Sequence, residues 1–175
     1  MADEEVELTE EQRQVAQLEE SLQTRMPRLS TVEDYNVNVR DDVENLVVVA
    51  LVSKQCPHSL GLRAALNSMS RPRPSTKNAR FFRLDVQDVP DVALQLGISS
   101  VPAIVFLLKG VSWHTHVGRN DEKITGHLRN FMIKRNEVMR EYDLAKVAKP
   151  EDENDGGEEG EEGGADEGEG GEEGD

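Results

Sequence analysis

Cysteine is almost absent from this chain: 175 residues contain one, Cys56. A single thiol excludes an internal disulfide, and nothing in the sequence resembles a zinc ribbon. Long apolar runs are lacking as well. No stretch approaches the roughly 20 apolar residues of a membrane-spanning helix, so no membrane partner is expected. The opening Met1-Ala2-Asp3-Glu4-Glu5 is acidic and has no apolar core, which reads as neither a signal nor a transit peptide. These absences point to a reducing compartment, most simply the cytoplasm. No phosphate-binding loop or nucleic-acid motif is present, and the net acidity argues against a nucleic-acid partner.

Basic residues are scarce at both ends. Residues 151–175 hold 14 acidic residues and no basic one, and without them the formal charge of −15 becomes −1. The first 20 residues carry eight acidic side chains against Arg13. The middle, 21–150, is mildly basic at +6, with 19 Lys and Arg against 13 Asp and Glu. The chain is therefore segmented into acidic ends and a basic body. Residues 150–175, rich in Glu and Gly, have too little apolar surface to offset the entropy of ordering and are expected to be disordered.

Periodicity supplies the elements. Thr9 with Gln12 forms a capping box ahead of a helix to about Arg25, with Val15, Leu18, Leu22 and Met26 on one face and Pro27 as its stop. Residues 28–45 read as a connection, with room for a short helix or an unseen strand. The apolar run Leu46–Val52 predicts a strand buried on both faces. Pro57 opens a helix continued by Leu60, Leu62, Ala65, Leu66 and Met69 and ended by Arg71-Pro72-Arg73-Pro74. A strand over Phe81–Val86 and a helix over Val89–Leu96 follow. Ala103–Leu108 and Val111–Val117 form a hairpin around Lys109-Gly110. Asn120 caps a last helix with Asp121 and Glu122 in its first turn. The first half is a βαβ unit, so a parallel strand pair is expected, and the hairpin adds antiparallel strands.

This order resembles the thioredoxin superfamily, on four motifs. Cys56-Pro57-His58-Ser59 stands where that family has Cys-x-x-Cys. Leu84-Asp85-Val86 with Pro90 is similar to its second strand and following helix. Gly97-Ile98-Ser99-Ser100-Val101-Pro102 is similar to its run ending in a cis-proline, and Phe106-Leu107-Leu108-Lys109-Gly110 with Gly118 to its hairpin. The resemblance implies an α/β fold: a mixed sheet of four to five strands flanked by helices. Here it carries an N-terminal helix, an extended C-terminal helix and an acidic tail. The segments are expected at 1–45 for the N-terminal helix and connection, 46–132 for the thioredoxin-like domain, 133–149 for the helical extension and 150–175 for the tail. The resemblance also implies catalytic roles for Cys56, His58 and Ser59 if the site is redox-active, and a peptide-binding role for Pro57, Val101 and Pro102.

The departures carry equal weight. Ser59 replaces the resolving cysteine, Ala50 stands where many relatives hold a buried acid, and Gln55 replaces the usual tryptophan. The Cys-Pro-x-Ser spelling is closer to monothiol glutaredoxins, which brings glutathione into view as a cofactor, although Lys54 is displaced by one position. A helix N-terminus favours a thiolate at Cys56, and a His58 imidazolium would favour it further. Ser59 reads equally as a donor to that thiolate or as a hydroxyl tied to backbone.

At other residues plainer roles compete with functional ones. His114 and His116 share one face of a strand, with Trp113 on the other. A third ligand is lacking nearby in sequence, so no metal site is expected. Trp113 reads as half-buried packing. From Met132 to Val147 the last helix continues beyond where the family ends, with Val138, Met139, Tyr142 and Leu144 among basic residues. That extension either packs on the N-terminal helix or docks a partner. The tail resembles, in composition, the carboxy-terminal tails of tubulins, which implies a cilium or cytoskeleton-associated setting. The expected function is a thioredoxin-like protein-binding module, or a subunit of a larger assembly, without dithiol reductase activity. The alternative is monothiol thiol-disulfide exchange or glutathione-linked redox chemistry at Cys56. Protein partners are expected at the Pro102 groove, the terminal helices or the tail.

Overall fold

The expected capping box is formed at the N-terminus. In this computed structural model, which describes residues 9–147, the Gln12 N–H donates to the Thr9 hydroxyl at 3.3 Å and the Thr9 N–H to Gln12 Oε1 at 2.9 Å. Helix α1 then runs Glu10–Arg25. The acidic segment 150–175 lies outside the described residues. After Pro27 comes a two-residue strand β1, Arg28–Leu29, followed by α2, Val32–Tyr35, and a π-helical turn, Asn36–Arg40. Thr31 and Asp34 cap α2 reciprocally. A strand of two residues has no alternation to detect, which is why the connection hid it.

Strand β2, Leu46–Val52, is the centre of the sheet. It pairs in parallel with β3, Ala79–Asp85, and antiparallel with β4, Ala103–Leu108. With β5, Val111–Val117, the order is β1-β3-β2-β4-β5. β1 lies beside β3, Leu29 opposite Leu84, so the sheet has five strands and begins before Leu46. Two cores flank it. Leu46, Val48, Ala50, Ile104 and Phe106 face α1 and the helices at 57–69 and 121–147, while Val47, Val49, Leu51, Val105 and Leu107 face α2 and α5, Pro90–Gln95.

The helix opened by Pro57 is two pieces, α3, Pro57–Gly61, and α4, Arg63–Met69. They meet at fully buried Leu62, whose N–H bonds the Ser59 carbonyl at 3.3 Å in a tightened turn. A Cβ at Gly61 would meet only the end of the exposed Arg119 side chain, which can swing aside. The β4–β5 turn has Lys109 and Gly110 at φ 53° and 72°, matching the right-handed strand twist.

Strict alternation would put Trp113 opposite the histidines, and the structure corrects this. His114 pairs with Phe106 but Ser112 pairs with Leu107, leaving Trp113 as the extra residue of a bulge. Its half-buried ring lies 6.4 Å from Phe131, edge-on, with Lys134 Nζ 4.5 Å above it.

Helix α6, Asp121–Val147, starts where Asn120 Oδ1 accepts the Lys123 N–H at 3.0 Å. Ile124, Leu128 and Met132 enter the core. Beyond them, Arg135 donates to the Glu44 carbonyl at 2.8 and 2.6 Å, and Lys109 Nζ sits 4.0 Å from the Tyr142 ring. α1 packs against α4, and among the described residues nothing closes over Ile133, Tyr142 and Leu144 of the extension, which are exposed.

Candidate functional site

Strand β2 delivers the chain to a sharp turn. The Cys56 N–H bonds the Ser53 carbonyl at 3.1 Å, and Cys56, in extended conformation, becomes the residue before α3. Pro57 takes the first helical position, where a missing N–H costs nothing. Cys56 is half-buried. Its thiol lies 3.7 Å from the Val101 carbonyl, to which it donates, and the Val101–Pro102 bond is cis. Pro102 is buried and its carbonyl accepts the Gly118 N–H at 2.8 Å, which ties the loop to the end of β5. The fold therefore brings Cys56, Ser59, Val101 and Pro102 together.

Ser59 is buried, and its hydroxyl accepts the Ser53 N–H at 3.2 Å. Hydrogen bonding from the Ser59 N–H, then from the Ser59 hydroxyl, holds the Cys56 thiol below its ordinary value of 9.0. The His58 N–H adds to this, and partial burial opposes it. The His58 side chain is exposed, and it is the His58 N–H that joins the donors lowering the thiol. The thiolate is stabilised by neutral donors at the helix start, a different origin from the imidazolium expected of the Cys-Pro-His order.

Behind Ser59 lies a group that sequence reasoning missed. Ala50, fully buried, is paired across the sheet with Arg83, which is 9% exposed. Arg83 Nε donates to the Met26 carbonyl at 3.1 Å, Nη1 to Glu19 at 2.7 Å and Nη2 to Gln23 at 2.9 Å. Asp85, also buried, accepts the N–H groups of Lys54 at 3.3 Å and Gln87 at 2.9 Å, with Arg28 3.7 Å away. A cavity of about 390 Å³ runs between Ser59, Arg63, Arg83 and Asp85. The signal was Arg83 itself, a charge amid Phe81, Phe82 and Leu84. Its partners on α1 are some 60 residues away, beyond any local pattern.

A five-strand mixed sheet with a cysteine at a strand-to-helix junction, facing a cis-proline, defines the thiol-bearing α/β class. The chain belongs to the thioredoxin family, whose model, Thioredoxin, matches residues 27–131. Among solved structures it is similar to thioredoxin from Malassezia sympodialis, with 19% identity over 60% of this chain and 89% of that one, at a TM-score of 0.55. Thioredoxin from Fasciola hepatica has 18% identity over 60% of this chain and 98% of that one, at 0.55. The germline-specific thioredoxin Deadhead of Drosophila melanogaster has 19% identity with the same coverages and score. At these identities the likeness is one of fold. Nothing among curated proteins matches the sequence. Helix α1 and the end of α6 lie outside the matched residues. Among the described residues no helix is long and apolar enough to cross a membrane.

Proposed function

We propose that this chain is a protein-binding module of thioredoxin fold, or a subunit of a larger assembly, without dithiol reductase activity. Ser59 carries the reading. The residue in the place of the second sulfur is a buried hydroxyl engaged with the Ser53 N–H. A mixed disulfide formed at Cys56 would have no thiol within the chain to release it. The exposed Ile133, Tyr142 and Leu144 on α6 support a docking role for the added helix. In this reading an extended peptide lies along Val101–Pro102, next to Cys56. The composition of residues 151–175 supports a cytoplasmic setting associated with cytoskeleton or cilium.

One observation favours a second reading, monothiol exchange: the lowered pKa of an accessible Cys56. There the thiolate attacks one sulfur of a disulfide, bonds to it and expels the other as a thiolate. An external thiol such as glutathione then attacks the mixed disulfide and regenerates Cys56.

Partners trapped at Cys56 and partners copurified with the full chain separate the readings. Each is measured for binding to wild type and Cys56→Ser under reducing conditions. The module reading expects affinities within about twofold of each other; a loss beyond about tenfold, roughly 1.4 kcal/mol, in Cys56→Ser assigns the chain to monothiol exchange instead.

A further inference from the structure

The bulge that turns Trp113 toward α6 leaves His114 and His116 on the α6 side of β5, where His127 meets them. The fold thus supplies the third imidazole that the sequence lacked nearby. One ligand nitrogen from each of the three rings lies within 4.8 Å of the others. The His127 ring centroid is 4.2 Å from His114 and 5.5 Å from His116. Phe106 and Phe131 form the apolar side of the cluster, 6.1 and 6.4 Å from His127.

Hydrogen bonding leaves the cluster incomplete. Among the described residues, the Nε2 atoms of His114 and His116 are closed off from solvent and have no hydrogen-bond partner. Ring nitrogens removed from water without a partner are costly, and the usual remedies are a water, a polar neighbour or a metal. Among the described residues no carboxylate belongs to the group, and Cys56 is not part of it.

We propose that His114, His116 and His127 bind a divalent transition-metal ion, with Zn²⁺ the best match, leaving a fourth position open. Three neutral imidazoles are a sufficient protein ligand set for tetrahedral zinc, and imidazole suits this ion better than it suits the hard cations magnesium and calcium. Zinc–nitrogen bonds of about 2.0–2.1 Å would hold the nitrogens about 3.3 Å apart, so side-chain rotations must draw the rings in by about 1.5 Å or less. The rings of His114 and His116 are half-buried, and the neutral imidazole is the ligating form. Lys123 is the adverse neighbour, adding positive potential at His116. Two ligands sit on an edge strand and one on the last helix, so an ion would staple β5 to α6. This site is separate from the Cys56 loop and independent of the function proposed above.

The test is Zn²⁺ alone, titrated into the metal-stripped full chain in competition with a chromophoric chelator, followed by Co²⁺ spectroscopy. One tight equivalent is expected, with the visible bands of tetrahedral cobalt. His127→Gln, and separately His116→Gln, should weaken zinc binding by on the order of 100-fold and abolish those bands. Lys123→Gln should tighten it. Thermal unfolding of each metal-free variant shows that it still folds, and two ligand variants on different elements guard against loss of one. The acidic termini can hold zinc weakly, but that binding is untouched by the histidine changes. Wild type and both variants binding zinc alike, or a wild type with no equivalent tighter than the termini provide, overturns the proposal.

Discussion

Arg83→Ala is expected to cost about 3 kcal/mol of unfolding free energy, the low end of what removing one partner of a buried charged group costs. The guanidinium is nine-tenths buried and donates to a carbonyl, a carboxylate and a side-chain amide. Truncation leaves the Met26 carbonyl without its donor and opens space beneath Ala50. Glu19 is 42% exposed and rehydrates, which keeps the cost from the top of the range. Hydrogen bonds to charged groups contribute about 1.5–3 kcal/mol each in favourable cases, so the three bonds do not add fully. Arg83→Met, which keeps volume, should lose less than alanine. Urea midpoints at constant slope measure both. A loss under about 0.5 kcal/mol for the alanine variant would mean that α1 is not held through Arg83.

Ser59→Ala is expected to raise the pH at which Cys56 reacts at half its maximal rate with iodoacetamide. The thiolate is the reacting form, so donors that stabilise it move the midpoint below 9.0, and removing one moves it back up. The shift is partial, because the Ser59 N–H remains. His58→Ala should leave the midpoint in place, since His58 contributes through its N–H, which alanine retains. With one cysteine in the chain, no second thiol confuses the rate. A midpoint that rises in His58→Ala and not in Ser59→Ala would return the imidazolium to the mechanism.

Local signals carried most of the architecture. The Leu46–Val52 run, the hairpin around Lys109-Gly110 and the caps at Thr9 and Asn120 are each complete within a few residues, and each stands in the structure. What escaped depends on distance along the chain. β1 is two residues that acquire meaning only beside β3. Arg83 is explained by Glu19 and Gln23 of α1, and the histidine pair gains His127 only because α6 folds back over β5. Trp113 was misplaced for a different reason: a bulge breaks the period-two rule, and no residue type announces it. At the Cys56 loop the motif named residues that the fold brings together. Which groups act on the sulfur needed geometry, because His58 and Ser59 look equally suited until one points to solvent and the other inward.

As proposed, a thioredoxin fold presents one sulfur here and does not cycle. Insulin reduction with thioredoxin reductase and NADPH as the electron source tests it, because that enzyme reduces an internal disulfide back to a dithiol and one cysteine forms none. The full chain should match the blank, and Ser59→Cys, which restores a second sulfur, should exceed it. Turnover by the full chain above the blank, lost in Cys56→Ser, would contradict the account.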